Sequence, residues 1–193
     1  MIVRSRLSLL TALCCLLYAS CASAPTIARD DSVRVTMVTT GGTFTLKLLP
    51  SIAPRTVAQL RRLIAAHVFD SVYFYRVERG FVAQTATADD REVPLSKEQR
   101  SLISPIPLEV STLLHTRGVL SLAYGDDPNS GETSFSILLN DAPHLDGHFT
   151  VFGVLENSEP ALRYIEQHYD QHARDADGQR LQILRMVLFT RSL

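Results

Sequence analysis

Three side chains near the middle of this 193-residue chain could act together on a ligand: Arg76, Phe81 and Gln84. They fall in the stretch Tyr73 to Gln84, Y-F-Y-R-V-E-R-G-F-V-A-Q, which predicts two short aromatic strands joined by a tight turn at Glu78-Arg79-Gly80. Arg76 belongs to the first strand, Phe81 and Gln84 to the second. Side chains alternate faces along a strand, so Phe74 and Arg76 are expected on one face, with Tyr73, Tyr75 and Val77 on the other. A guanidinium held over an apolar surface beside a phenylalanine and a glutamine suits an uncharged, partly apolar, hydrogen-bonding ligand. A proline peptide meets that description. The competing reading is an arginine laid along an apolar strand with its head in water.

Other constellations carry less chemistry. His144 and His148 flank Asp146, and His168 and His172 stand four apart on a predicted helix, a spacing that could chelate a metal ion. No third ligand accompanies the helical pair, so a solvated helix face is the simpler reading and no metal site is expected. Asp126-Asp127-Pro128-Asn129 lacks the ligand spacing and the terminal Glu of a calcium loop. No G-x-S-x-G or comparable nucleophile setting is present.

The elements that must position these residues follow from local pattern. Val33 to Val38 and Thr43 to Leu48 alternate around Gly41-Gly42, a hairpin signal. Arg55 to Ala66 carries a helical stripe, Val57, Leu60, Leu63 and Ile64, with Thr56 where an N-terminal cap would sit. Residues 86–107 are charged, proline-bearing and aperiodic, as in a long loop, and 108–114 suggest a short strand and turn. Further strands are expected at Gly118 to Tyr124, Ser134 to Leu139, Thr150 to Leu155 and Leu181 to Leu188. A second helix is expected from Pro160 to Tyr169, facing inward through Leu162, Ile165 and Tyr169. Many strands, two helices and no βαβ rhythm point to a mainly β fold, a closed antiparallel barrel.

The order of segments resembles the cyclophilin family of peptidyl-prolyl isomerases. The family's F-H-R-[IV] and F-[MV]-x-Q-G-G-D stand here as F-Y-R-V and F-V-A-Q-T-A-T. Upstream, Gly42 to Leu60 is similar to its G-x-[IV]-x-[IL]-x-L…A-P-x-T segment. Downstream, Gly118 to Ala123, T-S-F-S-I at Thr133 to Ile137, and H-L-D-G-H-F-T-V-F-G at His144 to Gly153 each resemble a family motif. The resemblance runs from about Val33 to Leu188. It implies an eight-stranded antiparallel barrel capped by two α-helices, no cofactor, and proline-containing polypeptides as partners. It also implies Arg76 as the catalytic arginine and Gln84 as the glutamine that holds substrate and orients it. Phe81, Val82 and Leu145 then line a proline pocket, with Ala123, Tyr124, Ser134, Ser136 and Phe149 completing the binding groove.

Several of these positions depart from the family pattern. Ser136 stands where a second pocket phenylalanine is usual, Ser134 replaces a glutamine, and Tyr124 replaces an asparagine. Phe149 stands for His or Tyr, and His144 for Trp or Phe. Losing a phenylalanine removes a hydrophobic wall worth roughly 1.5–3 kcal/mol, part of whose space Tyr124 could refill. Weakened isomerase activity is therefore one expectation. A non-catalytic proline-peptide-binding chaperone or envelope scaffold on the same barrel is the other.

The N-terminus sets the expected location. Arg4 and Arg6 precede the apolar run Leu7 to Leu17, the length of a secretory signal core and too short to span a membrane. Cleavage after Ala22 or Ala24 is one exit, and lipid attachment at Cys21 within L-Y-A-S-C is the other. We therefore expect a signal peptide over 1–22, a tether over 23–32 and one domain over 33–193, exported to the periplasm or outer membrane of a Gram-negative bacterium, as a monomer. Cys14, Cys15 and Cys21 are the only cysteines, so the domain enters an oxidising compartment without a cross-link and roughly 160 residues must supply its core. With 19 basic against 20 acidic residues and no basic stripe, nucleic acid is not an expected partner.

Overall fold

The computed structural model describes residues 31–157 and 159–189. The expected signal peptide, Cys21 and most of the tether lie outside the described residues. Within them, β1 (Val33–Thr39) and β2 (Gly42–Leu48) form the expected hairpin, with Val33 opposite Leu48 and Thr39 opposite Gly42. Helix α1 (Pro54–Ala65) follows, then β3 (Phe74–Glu78), β4 (Val82–Thr85), α2 (Lys97–Leu102), β5 (Val119–Leu122) and β6 (Phe135–Leu138). The chain ends in β7 (Thr150–Glu156), α3 (Glu159–His168) and β8 (Ile183–Leu188). All strands pair antiparallel in one sheet of order β3-β4-β6-β5-β7-β2-β1-β8.

The sheet curls but does not close fully, which corrects the expected closed barrel. Its edge strands β3 and β8 meet only around the bridge Tyr73–Gln182, supported by Phe74 N donating to Leu181 O at 2.8 Å and Ile183 N to Val72 O at 2.7 Å. Past that point the turn closed by the Arg174–Arg180 bridge comes alongside β3 instead of β8. There Val77 N donates to Gln171 O at 3.3 Å, and the Arg180 guanidinium lies 4.3 Å over the Tyr73 ring.

The interior is filled by rings and branched chains. Phe135 stands edge-on to both Phe69 and Phe152, with centroids 6.1 and 6.0 Å apart. Helix α1 adds Val57, Leu60, Leu63 and Ile64, and α3 adds Leu162 and Ile165, the apolar stripes expected from the sequence. At Gly153 on β7, a Cβ would stand 2.7 Å from the Lys47 carbonyl oxygen, so the close approach of β2 requires glycine there.

Three local expectations need correction. Thr56 is not the cap of α1, because the helix begins two residues earlier and Ala53 at the cap position offers no side-chain acceptor. Instead Glu109 reaches in from a remote loop. Its carboxylate accepts from Arg55 N at 2.9 Å, Thr56 N at 2.8 Å and the Thr56 hydroxyl at 2.6 Å, placing an anion on the helix N-terminus. Residues 86–107 are not simply a loop. Ser96 and Gln99 form a reciprocal capping box that starts α2, and Gln59 of α1 donates to Leu102 O at 2.6 Å. α2 is thus a third helix beyond the two expected. Finally, 108–114 hold no strand; the nearest pairing is the single bridge between Ile106 and Gly131.

Candidate active site

Cross-strand register assembles the site. Arg76 on β3 stands opposite Gln84 on β4, Gln84 opposite Ser136 on β6, and Ser136 opposite Ser121 on β5. Directly opposed residues share a face, so these four side chains form a polar row across four strands. The expectation that Phe74 shares the face of Arg76 fails. A bulge between Phe74 and Arg76 shifts the register, burying Phe74 in the core together with Val77 while Arg76 remains partly accessible. The tight turn is as expected: Phe81 N donates to Glu78 O at 2.9 Å, and Gly80 takes φ +74°.

The guanidinium is held from several sides. Arg76 Nε donates to Gln84 Oε1 at 3.0 Å, and Nη1 donates to Glu78 Oε2 at 3.3 Å. Its carbon lies 5.7 Å from the Phe81 ring centre and 5.8 Å from that of Tyr75, within cation–π range of both. An arginine can only donate, so its partner on Gln84 must be the carbonyl oxygen, and the Gln84 amide N–H groups are directed elsewhere.

Arg76, Gln84, Phe81 and Val82 line one cavity of about 260 Å³. Ala123, Tyr124, Ser136, Leu145 and Phe149 also line it, with Tyr75, Ser121 and Leu122, so nine of the ten predicted groove residues come together. Beneath them Val82, Val119, Leu138, Ala142 and Val151 form a small second apolar cluster, with Phe81 and Leu145 packed on it. Phe81 also packs on the exposed His144 ring at 5.4 Å. Tyr124 stacks on Phe149 at 4.5 Å and donates its hydroxyl to His148 O at 3.0 Å. The tenth residue, Ser134, lines a neighbouring cavity of about 360 Å³ and donates to Thr85 O at 2.6 Å. The two cavities share Tyr75, Gln84, Ala123 and Tyr124, so they adjoin each other. Thr87 and Asp90, from the start of the 86–107 segment, border the second cavity and not the one holding Arg76.

Sequence reasoning missed Ser121, whose signal was its position two residues before Ala123 on a strand, hence on the same face. It also missed the support of Ser121. Buried His115 faces Asp146 Oδ1 through Nδ1 at 2.9 Å and Ser121 Oγ through Nε2 at 3.0 Å. The Asp146 carboxyl is held below its ordinary range, first by the His115 backbone N–H at 2.7 Å and then by the ring. With the ring proton on Nδ1, toward the carboxylate, Nε2 accepts and the Ser121 hydroxyl donates. The helical histidine pair does not form. α3 ends at His168, whose Nδ1 faces Tyr164 O at 2.9 Å, and His172 lies beyond the helix beside Gln171. Among the described residues, no three His, Cys, Asp or Glu side chains gather as metal ligands would.

Comparison with known proteins matches this geometry to a family. The profile described as "Cyclophilin type peptidyl-prolyl cis-trans isomerase/CLD" matches residues 34–187. Peptidyl-prolyl cis-trans isomerase CYP23 of Arabidopsis thaliana is 38% identical over 83% of this chain and 72% of its own length. A probable peptidyl-prolyl cis-trans isomerase of Brucella suis is 30% identical over 72% of this chain and 74% of its own. In fold, the chain is similar to a cyclophilin-type isomerase of Cryptosporidium parvum solved in the presence of the dipeptide Ala-Pro. The TM-score is 0.68 at 23% identity, covering 82% of this chain and 99% of the other. A family profile spanning most of the described residues, together with relatives at these identities, settles the assignment: the chain belongs to the cyclophilin-type peptidyl-prolyl cis-trans isomerases.

Proposed function

We propose that the Arg76 groove binds Xaa-Pro segments of exported polypeptides and isomerises them at a rate reduced by its opened floor. The observation that carries this reading is the Arg76–Gln84 pair, 3.0 Å apart at the rim of a residue-sized cavity. An Xaa-Pro bond resists rotation because the nitrogen lone pair is shared with the carbonyl, a barrier of about 18–20 kcal/mol. Uncatalysed exchange then takes roughly tens to hundreds of seconds. In the twisted transition state the lone pair returns to nitrogen, which becomes a hydrogen-bond acceptor. A fixed cationic donor aimed at that nitrogen binds the twisted state better than either planar isomer.

Arg76 is that donor. Gln84 holds its Nε and Glu78 meets Nη1, leaving Nη2 to turn to the substrate, while the amide N–H groups of Gln84 grip a peptide carbonyl. Phe81, Val82 and Leu145 receive the ring, and Ala123, Tyr124, Ser134 and Phe149 border the flanking residues. Ser136 supplies no aromatic wall, so the ring is held less firmly and turnover is slower. No covalent step and no cofactor enter this mechanism.

Export rests on the 1–22 leader, with lipid attachment at Cys21 the anchored form, and the protein acts as a monomer on unfolded clients in the periplasm or at the outer membrane. The second reading, a peptide-binding chaperone with little turnover, is favoured by Ser136, Ser134 and Tyr124, which depart from the family pattern. Turnover of a panel of Xaa-Pro peptides by the purified protein separates the two. Measurable acceleration supports the isomerase. A folded protein that binds the peptides without accelerating them supports the binder.

A further inference from the structure

The Arg76 cavity is lined by a hydroxyl that bonds no other protein group among the described residues. Ser136 is only 9% exposed, yet its Oγ has no hydrogen-bond partner among the described residues. Its neighbours differ. Thr85 donates its hydroxyl to Phe135 O, Ser134 donates to Thr85 O, and Thr133 Oγ accepts from Ala88 N. A hydroxyl that opens onto a cavity and bonds no protein group is available to a ligand group.

Ser121, directly opposite on β5, has the complementary need. With the His115 ring proton on Nδ1, facing the Asp146 carboxylate, the one hydroxyl hydrogen of Ser121 is directed to His115 Nε2. The Ser121 oxygen is therefore left as an acceptor only. The pair thus offers one acceptor and one free donor side by side on a single face. A hydroxyl group, which both donates and accepts, satisfies both.

A prolyl ring is tethered to the peptide through its nitrogen and Cα, so its far edge, Cγ, enters the cavity first. We infer that this floor selects a prolyl ring carrying a hydroxyl on that edge, which makes 4-hydroxyprolyl peptides the preferred substrate class. The inference rests on the reading of the groove as an isomerase site. An unsubstituted ring strips water from the Ser136 and Ser121 oxygens and returns no hydrogen bond. A hydroxylated ring restores both, and sites built around such bonds discriminate against the analogue that lacks them.

The test compares two peptides that differ only at the ring, Ala-Ala-Pro-Phe and its 4-hydroxyproline counterpart in each epimer. Exchange is followed by NMR, with every catalysed rate divided by that peptide's own uncatalysed rate. The full chain should favour one hydroxylated epimer by about tenfold. Ser136→Ala should bring that ratio near one, and Ser136→Phe should invert it. A wild-type ratio at or below one for both epimers overturns the inference while leaving the isomerase reading intact, as does a ratio unchanged in Ser136→Ala. If no peptide is turned over, the isomerase reading falls, and titration of the same peptides decides the selectivity. Tighter binding of a hydroxylated epimer, lost in Ser136→Ala, upholds it, and equal binding overturns it.

Discussion

The four strands β3, β4, β6 and β5 have two faces built on opposite principles. The inner face carries Phe74, Val77, Ala83, Phe135, Ile137, Leu120 and Leu122, all within the main core. The outer face carries Arg76, Gln84, Ser136 and Ser121 in a row, one residue away along each strand. Inside, every ring meets another ring or a branched chain, and the result is stability. Outside, hydrogen-bonding groups are aimed into a groove, and one of them has no internal partner. A period-two backbone thus lets four short strands serve packing and recognition at once, and damage to one face should leave the other largely untouched.

That separation can be broken from either side. The largest effect should come from Phe135→Ala, which removes a fully buried ring wedged between Phe69 and Phe152. It should cost about 3–5 kcal/mol in denaturant unfolding and leave the activity per folded molecule close to wild type. A large loss of specific activity would show that the faces are coupled. On the outer side, Ser136→Phe should raise kcat/KM for Ala-Pro peptides by about tenfold, from restored apolar contact with the ring, with little change in melting temperature. A fall in kcat/KM would mean that the polar floor is itself required for proline.

A smaller effect concerns the support of Ser121. Because the Asp146 carboxyl sits below its ordinary range, it contributes stability that is present above the unfolded carboxylate value. That contribution is lost as pH falls through the lower folded value. Asp146→Asn should flatten the acid limb of a stability-versus-pH curve relative to wild type, and identical limbs would contradict the proposed pairing with His115. The smallest effect should be at Glu78, whose ion pair with Arg76 is more than half exposed on the carboxylate side. Pairs of this kind are worth at most about 1 kcal/mol, so Glu78→Gln should change kcat/KM less than about fivefold. A larger change would assign Glu78 a direct role in aiming the guanidinium.

The site was more legible in the sequence than its surroundings. Arg76 and Gln84 could be paired because a tight turn fixes the register of the strands it joins, and Gly80 marks that turn. The helical stripes of α1 and α3 were legible because 3.6-residue periodicity is a local property. The bulge beside Tyr75 was not, since a bulge is defined against a partner strand. Nor could the Glu109 carboxylate be assigned to the start of α1, or Asp146 to His115, because those contacts join residues far apart in the chain. α2 is a different kind of omission: its Ser96 and Gln99 capping box is written in local sequence. There, charge and proline in the surrounding segment outweighed a short signal. Full closure of the barrel failed because the return turn before β8 depends on packing beside β3, which no local pattern encodes.

The central claim is that the outer face does chemistry through one donor, and Arg76→Ala tests it most directly. Exchange spectroscopy on an Ala-Pro peptide, with the protein's own spectrum recorded in the same samples, gives turnover and foldedness together. The account predicts an unchanged fold and a fall in catalysed exchange of about 10²- to 10³-fold, the usual cost of removing a preorganised transition-state donor. Exchange that persists at the wild-type rate in a folded Arg76→Ala protein would contradict it.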